Sequence, residues 1–411
     1  MRRTSTRYEA PHRPTAIRIA NRLLGRLQGL SLARADLSLE SLVREAERRS
    51  GERWTLDMED VEAPLAYLLR SIEEEAQLHP IGRFITRERI VATLANRMRV
   101  EAASRDLPDD LEALSPIVIV GLPRTGTTLL HRLLAAVPGV RSLTSWEALT
   151  PARLPGDHED RARVRLAERS ESGLAFLAPD FFAVHPIDAH APEEDVLLLD
   201  LSFRSTVAES TLRVPSFSRW LEEQDQQPAY RVLQRSLRVM QHQRPLPRKT
   251  RWVLKTPHHL EWLDVLLEVF PKATFVWTHR GLDEVVPSFC SMLAHARGVF
   301  SDVVDPKEIG RAWLRKGARM IERGLEVRAK RKDRFVDIEY AELVANPLAQ
   351  MKRIHAHAGL PWNRESEDCM GDVLRVQRKD RFGEHVYRLA DFGLGESDLR
   401  AAFGDAARAR W

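Results

Sequence analysis

The run Ile117-Val118-Ile119-Val120 passes without interruption into Gly121-Leu122-Pro123-Arg124-Thr125-Gly126-Thr127-Thr128, which in turn opens an apolar stretch at residues 129–137. The consecutive β-branched residues read as a short buried strand, and the stretch after the loop reads as a helix. A strand, a loop with two glycines and a helix, in that order, make a setting for binding phosphate. Gly121 and Gly126 let the backbone bend so that successive N–H groups and the positive end of the helix point at one anion. A loop that hydrolyses nucleoside triphosphates carries lysine after its second glycine, where it reaches the β- and γ-phosphates. Here Thr127 stands in that position, and the nearest cation is Arg124, inside the loop and placed for the first phosphate and whatever bridges from it.

Three later segments repeat a strand-then-helix order: residues 252–255 before 258–270, 274–278 before 283–296, and 335–339 before 341–358. Short strands alternating with helices predict an α/β fold, a P-loop-type parallel sheet flanked by helices. From about residue 17 to 103 apolar positions recur at three- and four-residue spacing among many Arg and Glu, which predicts helices and no strand. Residues 1–110 are therefore expected to form an N-terminal helical region. The α/β domain is expected over 111–411, with a helical insertion at about 151–250 covering the carboxyl edge of the sheet.

Lys plus Arg is 63 and Asp plus Glu is 59, a formal charge of +4, too small to imply a nucleic-acid binder. No run reaches the roughly 18 apolar residues of a membrane span, and neither a signal peptide nor an anchor is expected. Cys290 and Cys369 are far apart in sequence and do not make a disulfide scaffold, so a cytoplasmic location is the default.

A second anion anchor follows the strand at 274–278: Arg280 stands at its end and Ser288 eight residues on, where a guanidinium and a hydroxyl can converge on one phosphate. Between the two anchors lies Val253-Leu254-Lys255-Thr256-Pro257-His258-His259. Only nine of the 63 basic residues are Lys, and a compact ammonium at Lys255 can neutralise charge on an oxygen that is leaving.

Taken together, Gly121–Thr128, the Arg280/Ser288 pair and the Lys255-Thr256-Pro257 segment resemble the sulfotransferases, over roughly residues 116–360. The resemblance implies that Arg124, Thr125, Gly126, Thr127 and Thr128 contact the 5′-phosphosulfate of 3′-phosphoadenosine 5′-phosphosulfate (PAPS). It further implies that Arg280 and Ser288 hold the 3′-phosphate, that Lys255 is catalytic, and that no metal takes part. The family more often has Asp-Pro after the anchoring arginine, where this chain has Gly281-Leu282.

Two residues are candidates for the base that takes the acceptor's proton. Glu147 is the first choice, because several branches of the family place a Glu at about this distance from the loop. His259 is the rival, because cytosolic members place a His in the corresponding Lys-Thr segment. Among weaker signals, Arg315-Lys316-Gly317 imitates a 3′-phosphate triplet but falls in a helical stretch and reads as coincidence. Arg375, Arg378, Lys379 and Arg381 are a better stand-in for closing over a nucleotide, although they read equally as ordinary solvated charge. His185, Glu193, Glu194 and Asp195 lie in the insertion and are candidates to line an acceptor pocket, as are Phe176, Phe181, Phe182, Phe203, Phe217 and Trp220, although these aromatics serve equally well as core. The acceptor is expected to be a small molecule, lipid or carbohydrate. The competing readings are a P-loop nucleotide kinase or NTPase, for which Asp337 is the one tempting magnesium ligand, and a nucleotide-binding regulatory protein without turnover.

Overall fold

The computed structural model describes residues 4–5, 13–29, 34–55, 58–108, 114–184, 187–245, 247, 249–376, 385–386 and 388–404. Five parallel strands form its centre: β1 (Ile117–Val120), β2 (Val140–Ser142), β3 (Arg251–Lys255), β4 (Thr274–His279) and β5 (Phe335–Glu339). Their spatial order is β2-β3-β1-β4-β5, with Ile117 opposite both Val253 and Thr274. The sheet and its flanking helices make this an α/β fold, as the alternation of strands and helices predicts. Outside this sheet, Thr4–Ser5 and His385–Val386 form a two-residue parallel pair.

Both faces of the sheet are buried, which is why β1 is apolar at every position. Ile117, Ile119, Val253, Val276 and Ile338 pack against Leu130, Leu133 and Leu134 of the helix Thr127–Ala135 and against Met351 and Ile354 of the helix Pro347–Ala358. Val118, Val120, Leu254, Phe275 and Trp277 face the other way, onto Tyr230, Leu233 and Leu237 of the helix Gln227–Gln243 and Met320 of the helix Pro306–Lys330. Each such side chain contributes about 1.5–3 kcal/mol by leaving water, so the burial of β1 on both faces fixes its place at the centre of the sheet. The chain passes from β1 to β2 and β3 on one side and then to β4 and β5 on the other, so the strand order switches at β1, the place where open parallel sheets set a binding crevice at their carboxyl ends.

β2 is absent from the sequence expectation. Val140-Arg141-Ser142 has one β-branched residue, and its strand conformation comes from pairing with Arg251–Val253. The helix expected at 341–358 is broken at Asn346, whose side chain accepts the Ala349 N–H at 3.2 Å and restarts the helix at Pro347. Likewise the stretch 258–270 divides into a 3₁₀ turn at Pro257–Glu261 and a helix at Leu263–Val269.

The helices Leu39–Ser50, Glu59–Glu75 and Pro80–Ser104 bury Leu42, Val61, Leu65 and Leu94 in one cluster with Phe203, Leu212, Phe217 and Leu221 from the insertion. Phe203 and Phe217 are therefore core, and Trp220 stacks on Tyr67 with ring centroids 4.9 Å apart. Phe176 is exposed. The insertion reaches the sheet through residues 189–195: the Ser145 N–H donates to Ala191 O, Trp146 N–H to Ala189 O and Glu193 N–H to Leu143 O. No strand occurs among the described residues of the insertion.

Candidate active site

The loop after β1 bends where its sequence allows it to. Gly121 has φ 146° and Gly126 φ 91°, and a Cβ on either would lie 2.5 Å from Thr278 Oγ1 or 2.8 Å from the Tyr340 ring, respectively. Arg124 holds φ 72°, unusual for a residue with a side chain, and stands exposed. Alternating left-handed positions of this kind turn backbone N–H groups into one concavity, and the helix beginning at Thr127 adds its positive end. The Thr125 side chain is turned inward: its hydroxyl donates to Leu122 O and lies 2.6 Å from Thr278 Oγ1. It ties the loop to β4, so what Thr125 presents to the crevice is backbone. Thr127 is buried at the helix start and Thr128 is exposed.

The second anchor lies directly against the first. Arg124 Nε donates to Ser288 Oγ at 3.1 Å, and Arg280 Nη1 donates to the backbone oxygen of Arg124 at 3.1 Å. The Arg280 guanidinium lies 4.2 Å above the Tyr340 ring and pairs with Glu284. Tyr340 thus packs on Arg280 and on Gly126 together, a role no sequence signal marks. Residues 156 and 164 positions apart in the chain meet through β4 and the helix Leu282–Gly298 that follows it.

Lys255 ends β3 with its side chain 7% exposed and its Nζ 2.5 Å from Glu194 Oε1. Its backbone N–H donates to Asp195 Oδ1 at 2.7 Å, so consecutive acids of the insertion hold both ends of this lysine. Asp195 Oδ2 lies 2.7 Å from His259 Nε2, and His259 Nδ1 lies 3.0 Å from the Tyr230 hydroxyl. With the Tyr230 hydroxyl donating to Nδ1, the Nε2 side of the ring faces Asp195. Burial and the nearby Asp195 push the Tyr230 hydroxyl well above its ordinary range, so it keeps its proton. His259 is fully buried between these partners. His131, on the helix after the loop, is buried with Nε2 2.6 Å from Ser142 Oγ. Burial, then Lys255 and Arg132, hold it neutral.

Glu147 is buried and both its oxygens are engaged. Oε1 pairs with Arg141 at 2.6 Å, and Oε2 accepts the Thr144 N–H and hydroxyl at 3.1 and 2.9 Å, closing a capping box on the helix Ser145–Leu149. Lys316 is buried within 3.0–3.4 Å of Glu261, Glu209 and Glu222, and Arg315 pairs with Glu222, so this triplet binds carboxylates of the protein itself. Asp337 is held between His279 and Arg328; burial raises its carboxyl, and the interactions with His279 and Arg328 more than offset that and keep it below the usual range. Arg375 pairs with Asp372 at an exposed helix end, while His185, Arg378, Lys379 and Arg381 lie outside the described residues.

A glycine loop opening a helix at the switch point of a parallel sheet, with two arginines meeting beside it, places the chain among α/β proteins of the P-loop type. The sulfotransferase family model matches residues 116–364, more than half of the chain, and the chain belongs to that family. It is 29% identical over 269 residues to omega-hydroxy-beta-dihydromenaquinone-9 sulfotransferase Stf3 of Mycobacterium bovis and of Mycobacterium tuberculosis. That match covers 62% of this chain and 66% of each relative, just under two thirds of their length. Among solved structures, sulfotransferase STF1 from Mycobacterium tuberculosis superposes with a TM-score of 0.77 at 30% identity, covering 89% of this chain and 98% of that one. Sulfotransferase STF9 from Mycobacterium avium gives 0.80 at 26% identity, covering 90% and 96%.

Proposed function

We propose that the chain transfers a sulfonate group from PAPS to a hydroxyl or amine of an acceptor by in-line displacement. The observation that carries this reading is the hydrogen-bonded patch of Arg124, Ser288 and Arg280 at the carboxyl edge of the sheet, on the far side of β1 from Lys255. Two anion seats on one edge suit a nucleotide with charge at both its 5′ and 3′ positions. The donor supplies the sulfonate and a phosphate oxygen as leaving group. Arg124, the N–H groups of Thr125 and Gly126 and the start of the helix at Thr127 and Thr128 hold its 5′ end. Arg280 and Ser288 hold the 3′-phosphate, which replaces Glu284 as the partner of Arg280. Lys255 offers a point charge to the bridging oxygen, and the burial of its side chain strengthens that interaction.

The acceptor's proton needs a carboxylate or imidazole with a face open to the crevice. Glu147 is committed to Arg141 and Thr144, and His259 to Asp195 and Tyr230. Glu194, a quarter exposed and beside Lys255, is better placed, and we assign it the base. The Stf3 relatives carry the name of a hydroxylated lipid quinone, which supports a lipid or other small apolar alcohol as acceptor here. Two free cysteines, Cys290 buried and Cys369 half-buried, accord with a cytoplasmic site of action.

A kinase or NTPase reading has less support: Thr127 replaces the lysine, and Asp337 is bound to His279 and Arg328. Calorimetric titration with adenosine 3′,5′-bisphosphate, ADP, and ATP with magnesium separates the readings. Selective binding of the bisphosphate, followed by transfer from PAPS in an acceptor screen, is the expected result. Preference for ATP with magnesium would favour the kinase, and binding with no transfer to any acceptor would favour the regulatory protein.

A further inference from the structure

The helix Thr15–Gly29 presents an outward face unlike that of the other N-terminal helices. Half-buried Ile17, Ala20, Asn21 and Leu24 recur at three- and four-residue spacing and form the side turned to the protein. Two contacts fix that orientation: Asn21 Oδ1 accepts the Ile81 N–H at 3.0 Å, and Arg13, just ahead of the helix, donates to Ser301 O at 3.0 Å and pairs with Asp302. The opposite arc carries Arg18, Arg22 and Arg26, four residues apart, and beside them Ile19 and Leu23, which are 51% and 55% exposed. Two more exposed apolar side chains, Phe84 and Val303, stand on the two segments that hold the helix.

Charge decides what this face suits. In the helix Leu39–Ser50, arginines are neutralised on their own surface, Arg44 by Glu40 and Arg48 and Arg49 by Glu45. No aspartate or glutamate occurs from residue 14 to residue 34, and among the described residues Arg18, Arg22 and Arg26 have no ion pair. A row of unneutralised guanidinium groups beside protruding isoleucine and leucine, on a helix with no acid, is the composition that lies in a lipid interface. The apolar side chains enter the acyl boundary while the arginines meet anionic headgroups.

We propose that this helix docks the protein on an anionic lipid surface, with Ile19 and Leu23 inserted and Arg18, Arg22 and Arg26 on the headgroups. The binding is peripheral and reversible, since no helix among the described residues is long and apolar enough to cross a membrane. Arg13 binds the Gly298–Asp302 segment at the far end of the helix that carries Ser288, so the docked helix is joined to the element that bears the second anion anchor. The inference goes beyond the transfer reaction and is independent of it.

The test is co-sedimentation of the full chain with vesicles of phosphatidylcholine alone and of phosphatidylcholine with phosphatidylglycerol. The expected result is binding to the anionic vesicles that high salt reverses. It should fall about 100-fold in the Arg18→Ala/Arg22→Ala/Arg26→Ala variant and be abolished in Ile19→Asp/Leu23→Asp. Both variants change outward side chains, and an unaltered melting curve and unaltered bisphosphate binding confirm the fold and separate this result from the fate of the transfer reading. Failure of the intact chain to sediment with anionic vesicles overturns the proposal, as does binding that neither variant weakens. A concentration-dependent dimer abolished by Ile19→Asp/Leu23→Asp would assign the face to a second copy instead.

Discussion

Glu194 Oε1 and Lys255 Nζ lie 2.5 Å apart where the insertion crosses the end of β3. Each is the other's ion-pair partner. In the transfer we propose, donor phosphate draws the ammonium toward the loop and frees the carboxylate to take a proton. Glu194→Gln is therefore expected to lower kcat by about 100-fold or more while bisphosphate affinity is unchanged, and Lys255→Met to lower kcat comparably. Glu194→Asp should recover part of the rate. Steady-state kinetics with PAPS decide it, and a Glu194→Gln enzyme with normal kcat would remove Glu194 from the chemistry.

Arg124 and Arg280 form a different kind of pair, touching through a backbone oxygen, and the proposed function gives each of them one anion seat. Charge-assisted hydrogen bonds of this type are worth about 1.5–3 kcal/mol, so Arg124→Ala and Arg280→Ala should each weaken bisphosphate binding by roughly 10- to 100-fold. Ser288→Ala removes a neutral donor and should cost less. Calorimetry reads all three. Indifference of binding to Arg280→Ala would mean that the 3′-phosphate sits elsewhere.

Glu147 provides a contrast with Glu194. Its replacement by Ala leaves Arg141 without its carboxylate and opens the capping box of Ser145–Leu149, a loss of about 3 kcal/mol or more. A clear fall in Tm is expected, with kcat per folded molecule little changed. If kcat collapses while Tm holds, Glu147 is the base after all.

Stability should also fall on the acid side of neutrality. Burial first, then Lys255 and Arg132, depress His131 well below its ordinary 6.5, and burial, then His259 and Lys316, do the same to His258. The unfolded chain takes up these protons near pH 6.5 and the folded chain resists them. Stability is thus intact above pH 6.5 and declines as pH drops below it, by up to about 1.4 kcal/mol per pH unit for each histidine. Urea unfolding across this range should show the decline, and His131→Gln should flatten its slope. A stability that rises on acidification would contradict both assignments.

The strand–loop–helix of residues 117–135 was legible because its causes are local. β-branched residues set the strand, glycines at 121 and 126 accept positive φ, and the apolar face of the helix meets the sheet wherever the sheet is built. Arg280 and Ser288 were legible for a similar reason, since one strand end and the next helix start bring them together over eight residues. Lys255 was visible as a rare lysine at a strand end. β2 was not visible, because three residues with arginine in the middle acquire strand structure only from the partner they pair with.

The sequence by itself determined the parallel sheet and the glycine loop after β1, since each follows from the conformational preference of contiguous residues. Only the tertiary structure decided which acids meet which cations. Glu147 turned back to cap its own helix, while Glu194 and Asp195 crossed some sixty positions of sequence to reach Lys255 and His259. A carboxylate carries no directional or periodic signature along the chain. Its partner is set by which loop passes over which strand end, and that depends on how the insertion packs between the N-terminal helices and the sheet.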